Sequence, residues 1–114
     1  QRLVVCLEDS IYIHNIKDMK LIKTLLNTPL NTIGLLALSI NHSNSYLAYP
    51  GSATNGEIIV YDASSMNTVT MIAAHDSPLA ALSFNATATQ LASASERVRT
   101  VIFLSFLPVT VKLY

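Results

Sequence analysis

The sequence predicts an all-β fold, and two features of its pattern carry this prediction. Apolar residues occur in short runs, and Asn, Ser, Asp, Gly or Pro residues separate one run from the next. Such runs are typical of strands joined by turns, whereas a helix needs a longer segment with one apolar face. Related strings of residues also recur along the chain, which is typical of repeat architectures.

The apolar runs place predicted strands along the whole chain. The turns between them contain Asn and small polar residues, which tolerate tight backbone turns. The predicted strands are Leu3–Leu7, Ile11–Ile16, Lys20–Leu26, Leu35–Ile40, Tyr46–Tyr49, Glu57–Asp62, Val69–Ala74, Leu79–Phe84, Gln90–Ala94, Val101–Phe106 and Val109–Tyr114.

Composition excludes several classes of protein. Of the 114 residues, 51% are hydrophobic and 12% are charged, which is incompatible with intrinsic disorder. The net charge of zero argues against a nucleic-acid partner. The longest apolar stretch, 101–109, contains Pro108 and is about half the ~20 residues of a membrane-spanning helix. The single cysteine, Cys6, and the scattered histidines predict no disulfide, metal site or cofactor.

A repeat of about 44 residues is the strongest signal of organisation. The segment 37–41 (ALSIN) recurs 44 residues later as 81–85 (ALSFN), and 46–48 (YLA) recurs at the same spacing as 90–92 (QLA). A period in the forties with four strands per unit predicts WD-type β-propeller blades, antiparallel and four-stranded. Within these units, Tyr61-Asp62 stands where WD repeats place Trp-Asp.

The repeat divides the chain into three predicted segments. Residues 1–29 would form the last strands of one blade, 30–75 a complete blade, and 76–114 most of a third blade with an atypical tail. The sequence begins within the pattern and without an initiator Met, so we expect a fragment of a longer propeller. A few blades leave open apolar sheet faces, so we also expect dimers, aggregation or a partner chain.

Several strings resemble one family of WD-repeat proteins. They are LVVCLE (3–8), YIHNI (12–16), YLAYPGS (46–52), AHDSPLAAL (74–82) and LASASE (91–96). On these residues the chain is similar to the WD-repeat phosphoinositide-interacting proteins, the PROPPIN β-propellers of autophagy. The resemblance implies a seven-bladed parent, with this chain as about blades two to four.

The resemblance also implies a function for the parent propeller. It would be a non-enzymatic scaffold that binds phosphatidylinositol 3-phosphate and the 3,5-bisphosphate. It would be cytoplasmic and peripheral on autophagosome precursor and endosomal membranes. Its protein partner would be an adaptor of the autophagy conjugation machinery.

The lipid site implied by the resemblance is incomplete in this chain. Ser93, Ser95 and Thr100 fall on positions that line the family's phosphate pocket. The family's Phe-Arg-Arg-Gly motif has no counterpart in the sequence, and Phe103 stands where the family has an arginine. Arginine supplies the charge-assisted contacts that hydroxyls lack. We therefore expect this chain alone to bind phosphoinositides weakly or not at all.

Three lysines, Lys17, Lys20 and Lys23, form the one local concentration of positive charge. A solvated blade rim would explain them without any function. The resemblance implies that Lys17 lies at a groove between neighbouring blades, where an acidic partner helix docks, and Lys20 lies beside it. Exposed ion pairs contribute only about 0.2–1 kcal/mol each, so such a groove would mainly speed association.

Two other functions remain as alternatives. One is a generic WD-repeat scaffold for protein interactions without a lipid site. The other is a hydrolase built on His75-Asp76-Ser77, but consecutive strand residues alternate faces and cannot converge on one substrate. We expect His75 instead to order the tight turn of the blade by hydrogen bonds. The glycine-containing segment 51–56 leads into a strand, which predicts a hairpin loop rather than a phosphate-binding loop.

Overall fold

The computed structural model describes residues 2–39, 45–96, 101–106 and 109–113. Every regular element in these ranges is a β-strand, which confirms the all-β prediction. The strands are β1 Arg2–Cys6, β2 Ser10–Asn15, β3 Leu21–Leu26, β4 Ala37–Leu38, β5 Tyr46–Pro50, β6 Gly56–Asp62, β7 Asn67–His75, β8 Leu79–Phe84, β9 Gln90–Ser95, β10 Val101–Phe106 and β11 Val109–Leu113.

The strands form three antiparallel sheets, each built from strands consecutive in the chain. The first sheet has the order β1-β2-β3, the second β4-β5-β6-β7, and the third β8-β9-β10-β11. A meander of four antiparallel strands is the architecture of a propeller blade. The strands of the three sheets lie within 1–29, 30–75 and 76–114, and the blade boundaries at these positions stay a prediction.

The sequence repeat coincides with the strand register. Strands β1, β5 and β9 begin 44 residues apart, and each pairs with the strand that follows it. The repeat therefore marks equivalent positions in the three sheets. The first residue of each of these strands pairs as follows: Arg2 with Asn15, Tyr46 with Asp62, and Gln90 with Ser105.

The second sheet is buried on both faces. In β5, Leu47 packs into a core shared with the first sheet, and its neighbour Ala48 packs into a core shared with the third. Successive strand residues point to opposite faces, so a strand covered on both sides needs apolar residues at consecutive positions. The first core contains Ile11, Ile13, Leu47, Tyr49, Tyr61 and Ala63, and the second contains Ala37, Ala48, Ile58, Val60, Ile72, Leu79 and Leu91.

Strand β4 is shorter than the predicted strand Leu35–Ile40. The side chain of Asn31 explains the late start of β4, since its Nδ2 donates to the carbonyl oxygen of Leu35 at 2.8 Å. Its Oδ1 accepts a hydrogen bond from the backbone nitrogen of Leu35 at 2.9 Å. Both backbone groups of Leu35 are therefore occupied, and the sheet pairing begins only at Ala37.

Gly56 begins β6 opposite His75 and leaves no space for a side chain. A Cβ at this position would lie 2.9 Å from the Cα of His75 and closer still to its Cβ. At Gly51, by contrast, an added Cβ would first meet the flexible side chain of Ile59, at 3.1 Å. The close approach of β6 and β7 therefore requires glycine at position 56.

We predict that Gly56→Ala lowers the free energy of unfolding by about 1–3 kcal/mol, the usual cost of overpacking. The methyl group would force β6 away from the backbone of β7. Gly51→Ala is the matched control. We expect it to lower the free energy of unfolding by less, because the side chain of Ile59 can change rotamer. Urea unfolding of both variants tests this, and equal losses would contradict the packing argument.

The outer face of the first sheet exposes apolar residues. Val4 and Cys6 pack against the inner core, so Val5 between them points outward and is 39% exposed. On β3, Leu25 packs inward and Leu26 is 65% exposed. An uncovered apolar face of this kind favours association.

We predict that the chain self-associates through this face and that the double variant Val5→Thr, Leu26→Thr shifts it towards smaller species. Met71→Thr is the control, because Met71 is 57% exposed but lies on β7 of the second sheet. Sedimentation velocity over a range of protein concentrations measures the shift. If the two variants give the same distribution of sedimentation coefficients, this face is excluded as the main site of contact between copies of the chain.

Candidate functional site

A polar contact joins the second and third sheets at His75. His75 is the last residue of β7, and its Nε2 lies 3.0 Å from the Oγ of Ser93 in β9. Burial lowers the pKa of His75 below its ordinary value, although the contact with Ser93 and the charge of Asp76 act in the opposite direction. The imidazole is therefore neutral near physiological pH and can share one hydrogen bond with the Ser93 hydroxyl.

The contact of His75 differs from the predicted one in its partner. We expected hydrogen bonds that order the tight turn of the blade, but the ring reaches across to Ser93 in the next sheet. The pair does not suit a hydrolase either, because a nucleophile must reach its substrate. Ser93 is only 2% exposed, and Ser77 of the His75-Asp76-Ser77 string is also buried.

Ser93 and Ser95 lie on the buried face of β9. Burial alternates along this strand, and the buried positions are Leu91, Ser93 and Ser95. Leu91 belongs to the core between the second and third sheets, so both serines face that interface. Thr100, the third residue predicted for lipid binding, lies outside the described residues. A lipid contact by these three residues stays a prediction.

Lys17 and Lys20 lie exposed in the turn between β2 and β3. The Oδ1 of Asn15 accepts a hydrogen bond from the backbone nitrogen of Lys17 at 3.0 Å. The Oδ1 of Asp18 accepts one from the backbone nitrogen of Lys20, also at 3.0 Å. Met19 completes the turn with a φ of 59°. These contacts hold the backbone in place while leaving both ammonium groups to solvent.

The equivalent turn of the second sheet follows Asp62. Its Oδ1 accepts hydrogen bonds from the backbone nitrogen and the hydroxyl of Ser64, both at 2.8 Å. Burial acts to raise the pKa of Asp62, but the hydrogen bonds from Ser64 and Ser65 outweigh it and the pKa lies below its ordinary value. Ser64 stands 47 residues after Lys17, so the second turn has a serine where the first has a cation.

The two predicted sets of functional residues do not come together. Lys17 and Lys20 belong to the turn of the first sheet, and Ser93 and Ser95 belong to the third sheet. The second sheet packs against both of the others. Among the described residues, the lysines therefore lie in an exposed turn and the serines at a buried interface, and the two sets do not form one site.

Sequence reasoning missed the role of Asn31. Besides its two bonds to Leu35, its Nδ2 contacts the Sγ of Cys6 at 3.6 Å. Cys6 is half-buried, and burial raises the pKa of its thiol despite the opposing contact with Asn31. Asn31 stands 44 residues before His75, so the repeat spacing was the signal that could have identified it.

An open polar pocket lies beside the seam between the second and third sheets. Its volume is about 230 Å³, and it is lined by Thr54, Asp76, Ser77, Pro78 and Glu96. In the described ranges, His, Cys, Asp and Glu side chains do not gather into a group of three that could hold a metal ion. Among the same residues, none lies in a helix that is long and apolar enough to cross a membrane.

The repeated antiparallel meanders and their shared register define the chain as a piece of a β-propeller. It matches the PROPPIN family model over residues 1–114 and belongs to that family. It is 66% identical over 114 residues to human WD repeat domain phosphoinositide-interacting protein 1, covering 100% of this chain and 25% of that protein.

Two further comparisons extend the likeness. Autophagy-related protein 18 of Caenorhabditis elegans is 43% identical over 96 residues, which cover 84% of this chain and 23% of that protein. A solved chain from the complex of KlAtg21 with the coiled coil of AgAtg16 aligns with a TM-score of 0.79 at 24% identity. The alignment covers 92% of this chain and 35% of that chain, and it shows the fold alone. The chain thus spans about a quarter of the length of the curated relatives it matches.

We predict that Ser93→Ala lowers the free energy of unfolding by about 1–3 kcal/mol, because it leaves the partly buried His75 ring without its partner. The control is Ser83→Ala, which changes an exposed serine in β8 and is expected to stay within about 0.5 kcal/mol of the parent sequence. Urea unfolding measures both. Equal stability of the two variants would show that the contact contributes nothing.

We predict that stability falls as the pH is lowered below the ordinary histidine pKa of 6.5. Since the folded state lowers the pKa of His75, the unfolded state binds more protons in this window. The contribution of His75 to the free energy of unfolding is therefore complete above pH 6.5. It declines as the pH falls from 6.5 to the lower pKa that His75 has in the folded state. Unfolding midpoints measured across this range test the slope. His75→Gln should flatten it, and an unchanged slope would exclude His75 as the group involved.

Proposed function

We propose that this chain is part of a non-enzymatic β-propeller scaffold that binds phosphoinositides and acts in autophagosome formation. The family match over the whole chain, together with 66% identity to a phosphoinositide-interacting protein, is the observation that carries this proposal. A second relative is named autophagy-related protein 18, which supports the assignment of this function to autophagy. The burial of Ser93 and Ser77 argues against the hydrolase alternative, because a nucleophile must reach its substrate.

The lipids proposed are phosphatidylinositol 3-phosphate and the 3,5-bisphosphate, bound at the cytoplasmic face of autophagosome precursors and endosomes. Ser93, Ser95 and Thr100 would donate hydroxyl hydrogen bonds to the phosphate. For Ser93, a phosphate oxygen would have to replace or share the present partner, the Nε2 of His75 at 3.0 Å. Hydroxyls alone bind phosphate weakly, so arginines from the longer protein would supply most of the affinity.

We predict that vesicles containing phosphatidylinositol 3-phosphate recover the full-length protein in a flotation assay but recover little of the 114-residue chain. Vesicles with phosphatidylinositol 4-phosphate are the control for charge alone. Strong flotation of the short chain would contradict the incomplete site. If the full-length protein floats with neither kind of vesicle, the result would instead favour the alternative, a WD-repeat interaction scaffold without lipid binding.

The partner proposed for Lys17 and Lys20 is an acidic helix of an adaptor of the autophagy conjugation machinery. Both lysines are exposed on a turn whose backbone is fixed by Asn15 and Asp18. A structurally similar propeller has been solved in complex with a coiled coil. Fixed exposed cations attract an acidic segment from a distance and raise the rate of encounter.

We predict that Lys17→Glu in the full-length protein slows association with the adaptor several-fold, and that the effect shrinks as salt is added. Lys23→Glu makes the same charge change on β3 and is the matched control, with a smaller expected loss. Stopped-flow or biolayer interferometry gives the association rates. An unchanged rate for Lys17→Glu would rule out this groove as the docking site.

A further inference from the structure

Asn55 is the only asparagine in the sequence that a glycine follows. It lies exposed at the end of the loop between β5 and β6, and Gly56 is the first residue of β6. The backbone nitrogen of Glu57 donates a hydrogen bond to the Oδ1 of Asn55 at 3.2 Å. This contact holds the side-chain amide of Asn55 close to the backbone that follows it.

We propose that Asn55-Gly56 is a self-modification site at which Asn55 converts to isoaspartate and aspartate in the folded chain. The backbone nitrogen of Gly56 loses its proton to water and attacks the side-chain carbon Cγ of Asn55. The bond between the Gly56 nitrogen and Cγ forms, and the bond between Cγ and Nδ2 breaks. Nδ2 takes up a proton from water and leaves as ammonia. One water molecule then opens the cyclic imide at either carbonyl, and no oxidant or reductant is consumed.

Three local features favour the reaction at this position. Gly56 has no side chain to obstruct the approach of its nitrogen to Cγ. The hydrogen bond from Glu57 polarises the amide carbonyl of Asn55 and stabilises the oxyanion that forms during the attack. Asn55 is exposed, so water is available to open the imide.

The product would disturb the seam between the second and third sheets. Isoaspartate adds one carbon to the backbone immediately before Gly56, where a mere Cβ would already lie 2.9 Å from the Cα of His75. Displacing Gly56 therefore displaces His75, and with it the contact between Nε2 and the Oγ of Ser93. The new carboxylate also lies next to Thr54, which lines a pocket with Asp76 and Glu96. Like charges at that pocket repel each other.

Asn15 is a matched control within the same chain. Its Oδ1 also accepts a hydrogen bond from the backbone nitrogen two residues later, that of Lys17, at 3.0 Å. The next residue is Ile16 instead of glycine, and its branched side chain obstructs attack by the backbone nitrogen. The two sites therefore share the hydrogen bond to the amide oxygen and differ in the residue that supplies the attacking nitrogen; Asn15 is also half-buried, whereas Asn55 is exposed.

The test incubates the chain at mildly alkaline pH and follows both asparagines by peptide mass spectrometry. Methyl transfer from S-adenosylmethionine by an isoaspartate-specific carboxyl methyltransferase gives an independent count of isoaspartate. We expect Asn55 to convert faster than Asn15 by on the order of tenfold or more, the effect of a barrier lower by about 1.4 kcal/mol. Asn55→Gln should abolish the methyl acceptor, because its longer side chain cannot form the five-membered imide.

Two further measurements complete the test. The same incubation in concentrated urea reports the unfolded chain, and conversion confined to urea would overturn the proposal of reaction in the folded state. Equal rates at Asn55 and Asn15 would overturn it as well. The aged chain should also unfold at lower urea than Asn55→Gln aged in parallel, and identical midpoints would refute the effect on the seam.

Discussion

Leu47 and Ala48 are neighbours in one strand, yet each is buried in a different core, and the structure depends on this two-sided burial of the second sheet. A sheet covered on both faces must place apolar side chains at consecutive positions, as in the Ile58–Tyr61 stretch of β6. Among the described residues, the first sheet has one covered face, and its other face exposes Val5 and Leu26. The two-sided burial of the second sheet therefore accounts for much of the high apolar content of the chain.

The seam between the second and third sheets combines this apolar packing with a directional contact, the hydrogen bond between His75 and Ser93. Hydrophobic packing is non-directional and allows sheets to slide, whereas a hydrogen bond such as that of His75 with Ser93 fixes one position. A Cβ at position 56 would lie 2.9 Å from the Cα of His75, so glycine there permits the close approach of β6 to the end of β7. His75, held at this close approach, is the residue that contacts the third sheet.

Strand positions were predictable from the sequence because turn formers bound each apolar run, and the repeat gave the equivalence of the sheets. The short β4 was not, since the occupation of both backbone groups of Leu35 by Asn31 is a three-dimensional fact. The same holds for the candidate site. Family position singles out Ser93, but only the structure shows that its hydroxyl faces the core and contacts a residue 18 positions earlier.

Phosphate recognition is strongest where cations and hydrogen-bond donors lie at one place. In the described residues, the lysines of the β2–β3 turn belong to the first sheet, while Ser93 and Ser95 face the interface between the second and third sheets. With the second sheet packed against both, these groups cannot converge on one headgroup without rearranging the cores. A phosphate site that includes Ser93 must therefore take its cations from somewhere other than the β2–β3 turn.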